Sequence, residues 1–165
     1  NIILHEPEIP QNTGNIGRTC VATGTSLHLI EPLGFTIDDK SLKRAGMDYW
    51  KDLDVHYYTN FQDFLNKNPN ANIYMATTKA LNTYSDVKFK DDDFIMFGSE
   101  GSGIPEEILL HYKDNSIRIP MLEQYRSLNL SNSVAIVLYE ALRQNSFKGC
   151  QMEGHLHRHS WSEAE

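Results

Sequence analysis

Three polar segments of the chain hold the residue types most suited to chemistry. The segment FGSEGSGIPEEI at 97–108 places three glycines and Glu100 directly after an apolar run. The segment NTGNIGR at 12–18 ends in Arg18, and SLNLSN at 127–132 precedes an apolar stretch. Glycines let the backbone approach a ligand closely, and an arginine side chain can grip a phosphate. Taken singly, the segments also fit a tight turn, a surface ion pair and a helix cap.

The glycine-rich segment lacks both common phosphate-binding motifs. A P-loop needs Lys-Ser or Lys-Thr after its last glycine, and neither follows Gly103. The glycines at 98, 101 and 103 also miss the GxGxxG spacing of a dinucleotide fold. The segment does follow a buried strand, and open α/β sheets bind ligands at the carboxyl ends of their strands. A ligand-contacting turn and a plain strand-to-helix turn therefore both remain open.

The elements that must position these segments alternate between strand and helix. Apolar runs predict strands at 2–4, 27–30, 54–58, 73–77, 94–97 and 117–120. Periodic apolar residues predict helices at 13–23, 61–65, 105–112 and 131–144, and 40–45 has short-helix character. Asn12 or Thr13 is the expected cap of the first helix, and Ser131 and Asn132 are the expected caps of the last. This alternation predicts an α/β domain with a mostly parallel sheet and helices on both faces.

Length and composition narrow the class of protein further. The 165 residues favour a single domain at 1–148, and the aperiodic residues 149–165 are expected to form a flexible tail. No apolar run is long enough for a membrane span, and the first residues lack the features of a signal peptide. Cys20 and Cys150 are expected to be free thiols in a cytoplasmic protein. Alternating histidines at 155, 157 and 159 lack a nearby cysteine or carboxylate, so no metal is expected.

Net charge argues against a protein that coats nucleic acid without specificity. The formal charge is −7, so any contact with a phosphate backbone must come from a local basic patch. Lys40, Lys43 and Arg44, with Arg18 upstream, are the residues that could form it. A solvated helix face explains the same spacing.

Taken in order, the three segments resemble the three signature motifs of the SPOUT-class RNA methyltransferases. The motif segments are NTGNIGR, FGSEGSGIP and RIPM followed by RSLNLSNSVAIVLYEA, and the similarity continues through IEPLGFTIDDKSLKRAGMDYW and MATTKA. Within the class, the chain is similar to enzymes that methylate the ribose 2′-hydroxyl of wobble nucleotide 34 in tRNA, with leucine tRNAs as expected substrates. A SPOUT enzyme acting on another tRNA or rRNA ribose, and a non-catalytic RNA-binding homologue, are the alternatives.

The resemblance implies a C-terminal trefoil knot, a homodimer and S-adenosylmethionine as the cofactor. Knots are exceptions to the usual topology of protein chains. The family pattern assigns cofactor contacts, made largely through the backbone, to Ala76, Gly98, Ile119, Ser127 and Leu128.

The resemblance also assigns roles in methyl transfer and in RNA binding. Arg18 is expected to hold the hydroxyl and phosphate and to stabilise charge, because an arginine is normally fully protonated. The expected helpers in the same cleft are Glu100, Ser131 and Asn132. The residues expected to contact substrate RNA are Asn12, Asn15, Lys43, Arg44 and Tyr139.

Overall fold

The computed structural model describes residues 1–38, 40 and 48–164. Within that part, seven strands form one sheet: β1 (Ile2–His5), β2 (Leu27–Ile30), β3 (Val55–Tyr58), β4 (Ile73–Ala76), β5 (Asn82–Thr83), β6 (Phe94–Phe97) and β7 (Ser116–Arg118). The described helices are α1 (Pro10–Thr23), α2 (Phe61–Lys67), α3 (Glu106–Leu109) and α4 (Leu130–Gln144). Short 3₁₀ helices cover Trp50–Asp52, Leu110–Asn115 and Trp161–Glu163. The helix expected at 40–45 lies outside the described residues except for Lys40.

All strand pairings in the sheet are parallel, in the order β3-β2-β1-β6-β4-β7-β5. Ile2 of the interior strand β1 lies opposite Leu27 on one side and Ile95 on the other. The six predicted strands are confirmed, with small shifts at their ends. The edge strand β5 was missed because two polar residues carry no hydrophobic pattern. A parallel sheet gathers the carboxyl ends of its strands along one edge, and the three polar segments meet there.

Helices cover both faces of the sheet, as the sequence predicts. Alternate side chains of β1 point to opposite faces. Leu4 packs with Ile16 of α1 and Val137 of α4 on one face, whereas Ile3 packs with Phe64 of α2 on the other. All five of these side chains are almost fully buried, and full burial of such a side chain contributes about 1.5–3 kcal/mol. We refer to the first face as the α1/α4 face.

The predicted caps of α1 and α4 were wrong. Helix α1 begins at Pro10, so Asn12 and Thr13 are buried inside its first turn and do not cap it. Proline suits this first position because its ring presets the helical φ and it lacks an N–H that would need a partner. Asn129 caps α4, because its side chain accepts a hydrogen bond from the Asn132 backbone N–H at 3.2 Å.

The helix expected at 105–112 is only partly α-helical. Pro105 precedes the single turn of α3, and the chain then continues as a 3₁₀ helix to Asn115. The backbone of Tyr112 departs from helical geometry, which interrupts the regular pattern of hydrogen bonds. A four-residue helix cannot fix the loop before it by itself, so the glycine-rich segment depends on other contacts.

One buried histidine makes the second face of the sheet sensitive to acid. His28 in β2 is 4% exposed, its Nδ1 lies 2.8 Å from the Tyr58 hydroxyl, and its ring stacks on His56 at a centroid distance of 4.8 Å. Burial, followed by the neighbouring His56, lowers the pKa of His28 to about 4. His28 is therefore neutral in the folded protein at physiological pH.

The C-terminal segment lies largely on the surface. Its described residues 151–164 are exposed, and Ser160 and Glu163 form a capping box on the last 3₁₀ turn. Among the described residues, no three histidine, cysteine or acidic side chains are grouped so as to hold a metal ion. None of the described helices combines the length and the apolar character that a bilayer crossing requires. Cys20 and Cys150 are both unpaired.

Candidate active site

A cavity of about 500 Å³ opens at the carboxyl ends of β4, β6 and β7. Its walls come from the turn after β4, the glycine-rich segment after β6 and the loop between β7 and α4. The lining includes all five residues to which the family pattern assigns cofactor contacts: Ala76, Gly98, Ile119, Ser127 and Leu128. Three segments far apart in sequence thus converge on one space, within the size range of small-molecule sites.

The glycine-rich segment is folded back on itself so tightly that Gly98 admits no side chain. A Cβ at Gly98 would lie 2.0 Å from the Gly103 carbonyl carbon and 2.2 Å from the Ile104 nitrogen. The Gly103 N–H donates to the Ser99 carbonyl at 2.9 Å, and Gly103 has a φ of +71° that favours glycine. Gly98 is therefore needed for backbone-to-backbone packing as well as for its place in the cavity wall.

Glu100 links the glycine-rich segment to the start of α1. Its carboxylate accepts hydrogen bonds from the Glu8 backbone N–H at 2.7 Å and from the Ile9 backbone N–H at 3.1 Å. Helix starts carry unsatisfied N–H groups and a partial positive charge, so an anion there is stabilising. In this chain the anion comes from a residue about ninety positions away. Glu100 thus supplies the cap that Ile9, the residue before α1, lacks.

A hydrogen-bond network joins all three motif segments. The Asn12 amide donates to Glu100 Oε1 at 3.2 Å, and the Asn129 amide donates to Asn12 Oδ1 at 3.1 Å. Asn129 Oδ1 in turn accepts from the Ser131 hydroxyl at 2.6 Å. Asn129 is the central residue of this network, and it is not among the site residues predicted from the sequence. An asparagine three residues before Asn132, at the start of an apolar periodic run, is the capping signal that would have revealed it.

Three residues expected to act on RNA, Arg18, Asn15 and Tyr139, do not line the cavity formed by their own chain. Arg18 is exposed on α1, with its guanidinium 5.1 Å from the centre of the Tyr49 ring. Asn15 is exposed nearly one turn earlier, and Tyr139 is 48% exposed on α4. These three side chains belong to helices that pack together on the α1/α4 face.

Of the remaining expected site residues, Ser131 and Asn132 also lie away from the cavity lining. Ser131 and Asn132 form the first turn of α4, where both contact Asn129. Lys43 and Arg44 lie outside the described residues. The structure therefore brings Asn12 and Glu100 to the cavity with the five residues expected to bind cofactor, and leaves Arg18 on the exposed helix surface.

The chemistry of the lining suits a ligand with a flat apolar part and a polar part. Ile104, Ile119 and Val137 provide apolar surface. The ends of the strands and the glycine-rich turn provide backbone donors and acceptors. The one carboxylate in the lining, that of Glu100, is already engaged by two backbone amides and Asn12. Lys79, the basic residue of the lining, pairs with Glu106 at 3.1 Å. Because both charged side chains already have partners, binding in this cavity rests on shape and backbone groups more than on charge.

Sequence comparisons place the chain among RNA methyltransferases. The SpoU rRNA Methylase family model matches residues 1–139. A putative tRNA (cytidine(34)-2′-O)-methyltransferase of Geobacillus stearothermophilus is 50% identical over 152 residues, covering 90% of this chain and 97% of the relative. The tRNA (cytidine(34)-2′-O)-methyltransferase of Saccharophagus degradans is 47% identical over 150 residues, with 90% and 97% covered.

Solved structures show the same fold. A putative RNA methyltransferase from Bacillus anthracis matches with a TM-score of 0.86 and 44% identity, over 93% of this chain and 98% of that one. A structure described as giving insight into 2-OH methylation of C/U34 on tRNA matches with a TM-score of 0.83 and 40% identity, over 88% of this chain and 95% of that one. An AdoMet-bound rRNA methyltransferase from Sinorhizobium meliloti matches with a TM-score of 0.75 and 25% identity, over 86% and 55%. The chain therefore belongs to the SpoU rRNA methylase family.

Proposed function

We propose that this protein transfers the methyl group of S-adenosylmethionine to the ribose 2′-hydroxyl of nucleotide 34, the wobble position, of tRNA. The convergence of the three motif segments on one cavity is the structural observation that carries the proposal. Relatives about half identical to this chain are named for that reaction, and they are matched over nearly their whole length. Leucine tRNAs are the substrates that we expect.

S-adenosylmethionine fits the cavity in size and in chemistry. Ile119 and Leu128 offer apolar surface for its adenine ring, and the backbone at Ala76 and Gly98 offers hydrogen-bonding groups for its polar parts. The rRNA methyltransferase from Sinorhizobium meliloti, which has the same fold, was solved with AdoMet bound. The bound cofactor supplies a methyl group that its sulfonium already activates.

The residues of this chain then have to align the ribose hydroxyl and stabilise charge. Holding two reactants in line converts a bimolecular step into an effectively unimolecular one. We propose that Arg18 holds the hydroxyl and the adjoining phosphate, because a guanidinium stays protonated and binds phosphate in a bidentate manner. Asn15 and Tyr139, exposed on the same helices, would contact the RNA beside it, and Lys43 and Arg44 would bind phosphates further along.

We also propose that the protein acts as a homodimer. Arg18 lies on the exposed part of α1 outside the cavity of its own chain, so a second copy offers a way to bring it to a cofactor. Ile9 and Ile136 expose 42% and 37% of their surface, which supplies apolar area for such a contact. In this proposal residues 1–148 form a cytoplasmic methyltransferase domain with a C-terminal trefoil knot, and residues 149–165 form a tail.

Labelled methyl donor incubated with total tRNA, and separately with rRNA, tests the proposal directly. We expect incorporation of the label into tRNA, and mapping of the modified nucleotide should place it on the ribose of nucleotide 34. Incorporation into another tRNA or rRNA ribose would replace the proposed substrate, and no incorporation into any RNA would refute the proposed activity.

Substitution of Arg18 tests its role. The Arg18→Ala variant should lose transfer by about a hundredfold or more while keeping affinity for S-adenosylmethionine, because Arg18 lies outside the cofactor cavity. Arg143→Ala is the matched control, because Arg143 is an exposed residue of α4 that pairs with Glu140. This variant should transfer the methyl group normally. Loss of cofactor binding in Arg18→Ala would contradict the role given to this residue.

A further inference from the structure

A second cavity, also of about 500 Å³, lies at the same edge of the sheet, at the carboxyl ends of β2 and β3. The loop after β2 forms one side of it, and Tyr57 and Thr59 at the end of β3 form the other. Tyr57 is 41% exposed, and Phe35 adds a second aromatic ring. We call this space the Glu31 pocket, lined by Glu31, Pro32, Leu33, Phe35, Thr36, Ile37, Tyr57 and Thr59.

The Glu31 pocket is connected to the candidate active site through backbone contacts. The Gly34 N–H donates to the Pro7 carbonyl at 2.9 Å, and a Cβ on Gly34 would lie 2.7 Å from the Glu8 Cα. The pocket loop therefore packs directly on the segment before α1. Glu8 donates its backbone N–H to Glu100 of the glycine-rich segment, so one segment holds both cavities in place.

The pocket also lies close to the proposed catalytic arginine. Arg18 rests on the Tyr49 ring, and the next residue, Trp50, interacts with the Tyr57 hydroxyl in the pocket wall. Leu33 and Trp50 pack against the core of the α1/α4 face. The pocket therefore opens on the side of the sheet that carries Arg18. An RNA strand held at Arg18 would therefore lie on the same side of the sheet as this pocket.

The side chains in the pocket suit an unpaired base more than a phosphate. Exposed aromatic rings such as Tyr57 stack on bases, and sequence-specific RNA recognition relies on such splayed-out bases. Glu31 would repel a phosphate, but its carboxylate can accept hydrogen bonds from an exocyclic amino group. Among the described residues, no hydrogen bond or ion pair occupies the Glu31 carboxylate, so its oxygens are available to a ligand.

We propose that the Glu31 pocket binds the base of an unpaired nucleotide next to the methylated one, and that Glu31 selects a base bearing an exocyclic amino group. The proposal rests on the proposed function for the class of substrate and assigns a subsite to it. Tyr57 provides the stacking surface, and Glu31 provides the selection. Adenine, cytosine and guanine carry such an amino group, whereas uracil presents only acceptors at the corresponding positions.

Removal of the stacking surface is the first test. Tyr57→Ala should raise the KM for an anticodon stem-loop RNA by about tenfold or more, since one stacked base contributes that much to binding. The kcat and the affinity for S-adenosylmethionine should change by less than about twofold, because the pocket is separate from the cofactor cavity. Tyr57→Phe keeps the ring and should recover most of the lost affinity. Leu81→Ala, which truncates a side chain 80% exposed beside the opposite edge strand, is the control.

Base substitution in the RNA tests the role of Glu31. With each of the four bases placed in turn on either side of the target nucleotide, the unsubstituted protein should disfavour uracil at one side by about fivefold or more. Glu31→Gln should reduce this preference, because an amide can donate as well as accept. Equal KM values for all four bases at both sides, or an unchanged KM in Tyr57→Ala, would overturn the proposal.

Direct binding separates a failure of the pocket from a failure of the proposed function. Fluorescence anisotropy with the same labelled RNAs gives dissociation constants whether or not methyl transfer occurs. If transfer maps to another ribose, the wobble assignment fails, and the same series is placed around the mapped nucleotide. A dissociation constant unaffected by Tyr57→Ala refutes the pocket in either case. An unfolding temperature within a few degrees of the unsubstituted protein shows that the variant is folded.

Discussion

Replacement of Gly98 by alanine should disrupt the cofactor cavity through a backbone collision. The added Cβ would lie 2.0 Å from the Gly103 carbonyl carbon, whereas real Cβ atoms essentially never approach a heavy atom within 3.0 Å. The backbone at 103–104 must therefore withdraw by at least 1.0 Å, the difference between these distances. That displacement would break the hydrogen bond between Gly103 and Ser99 and would shift Ile104, which is 2% exposed in the core.

The energetic cost of that movement can be estimated from its parts. Overpacking of a tight site costs about 1–3 kcal/mol, and a lost backbone hydrogen bond costs about 1 kcal/mol. We therefore expect Gly98→Ala to lower the free energy of unfolding by about 2–4 kcal/mol and the Tm by roughly 5–10 °C. Because Gly98 also lines the cavity, affinity for S-adenosylmethionine should fall by about tenfold or more.

Calorimetric titration of the cofactor and thermal unfolding measure the two effects. Gly101→Ala is the matched control in the same loop, since its Cβ would meet only the end of the flexible Glu8 side chain at 3.0 Å. The control should bind the cofactor within about threefold of the unsubstituted protein. A Gly98→Ala protein with unchanged Tm and unchanged cofactor affinity would refute the backbone-collision argument.

Three further predictions follow from the polar contacts of Glu100, Asn129 and His28. Glu100→Ala should lower the free energy of unfolding by about 1–3 kcal/mol because the start of α1 loses its anionic partner, and Glu100→Gln should lower it by less. Equal urea midpoints for the unsubstituted protein and both variants would contradict this. Asn129→Ala should cost about 1–2 kcal/mol in the same measurement through loss of the α4 cap, and an unchanged midpoint would exclude that role. The His28 pKa of about 4 in the folded protein lies below its unfolded value of 6.5, so between these pH values the unfolded chain binds more protons than the folded one. The free energy of unfolding should therefore fall by about 3 kcal/mol as the pH drops from above 6.5 to 4, and a His28→Asn variant should lack this part of the decline.

The strands and the helices on both faces could be predicted from the sequence because their signals are local. The apolar runs at β1 and β6 read as buried strands, and Phe61 and Phe64 mark one side of α2. The cap of α1 could not be predicted this way. Glu100 reaches Glu8 and Ile9 across about ninety residues, and no local pattern records such a contact. A propensity rule can therefore name Asn12 as a cap when a distant carboxylate performs that task.

For the candidate site as well, some features could be predicted from the sequence and others could not. The three motif segments are recognisable one by one, and the parallel sheet explains why Gly98 and Leu128 meet at one edge. The position of Arg18 outside the cavity could not be foreseen, because spacing along α1 does not tell which way the helix faces relative to the loops. The tightness of the turn at Gly98 likewise depends on how closely the Gly103 backbone approaches it, which no local sequence pattern records.

The carboxylate at the start of α1 also explains why a glycine-rich turn in a parallel sheet need not accept nucleotides. In many folds the exposed amides at a helix start act as the receptor for a phosphate. Here the backbone N–H groups of Glu8 and Ile9 are already bonded to Glu100, at 2.7 and 3.1 Å. A triphosphate such as ATP would meet a built-in negative competitor at that position. S-adenosylmethionine has an adenosine moiety and no phosphate, so the same internal anion would discriminate between two abundant adenosine compounds.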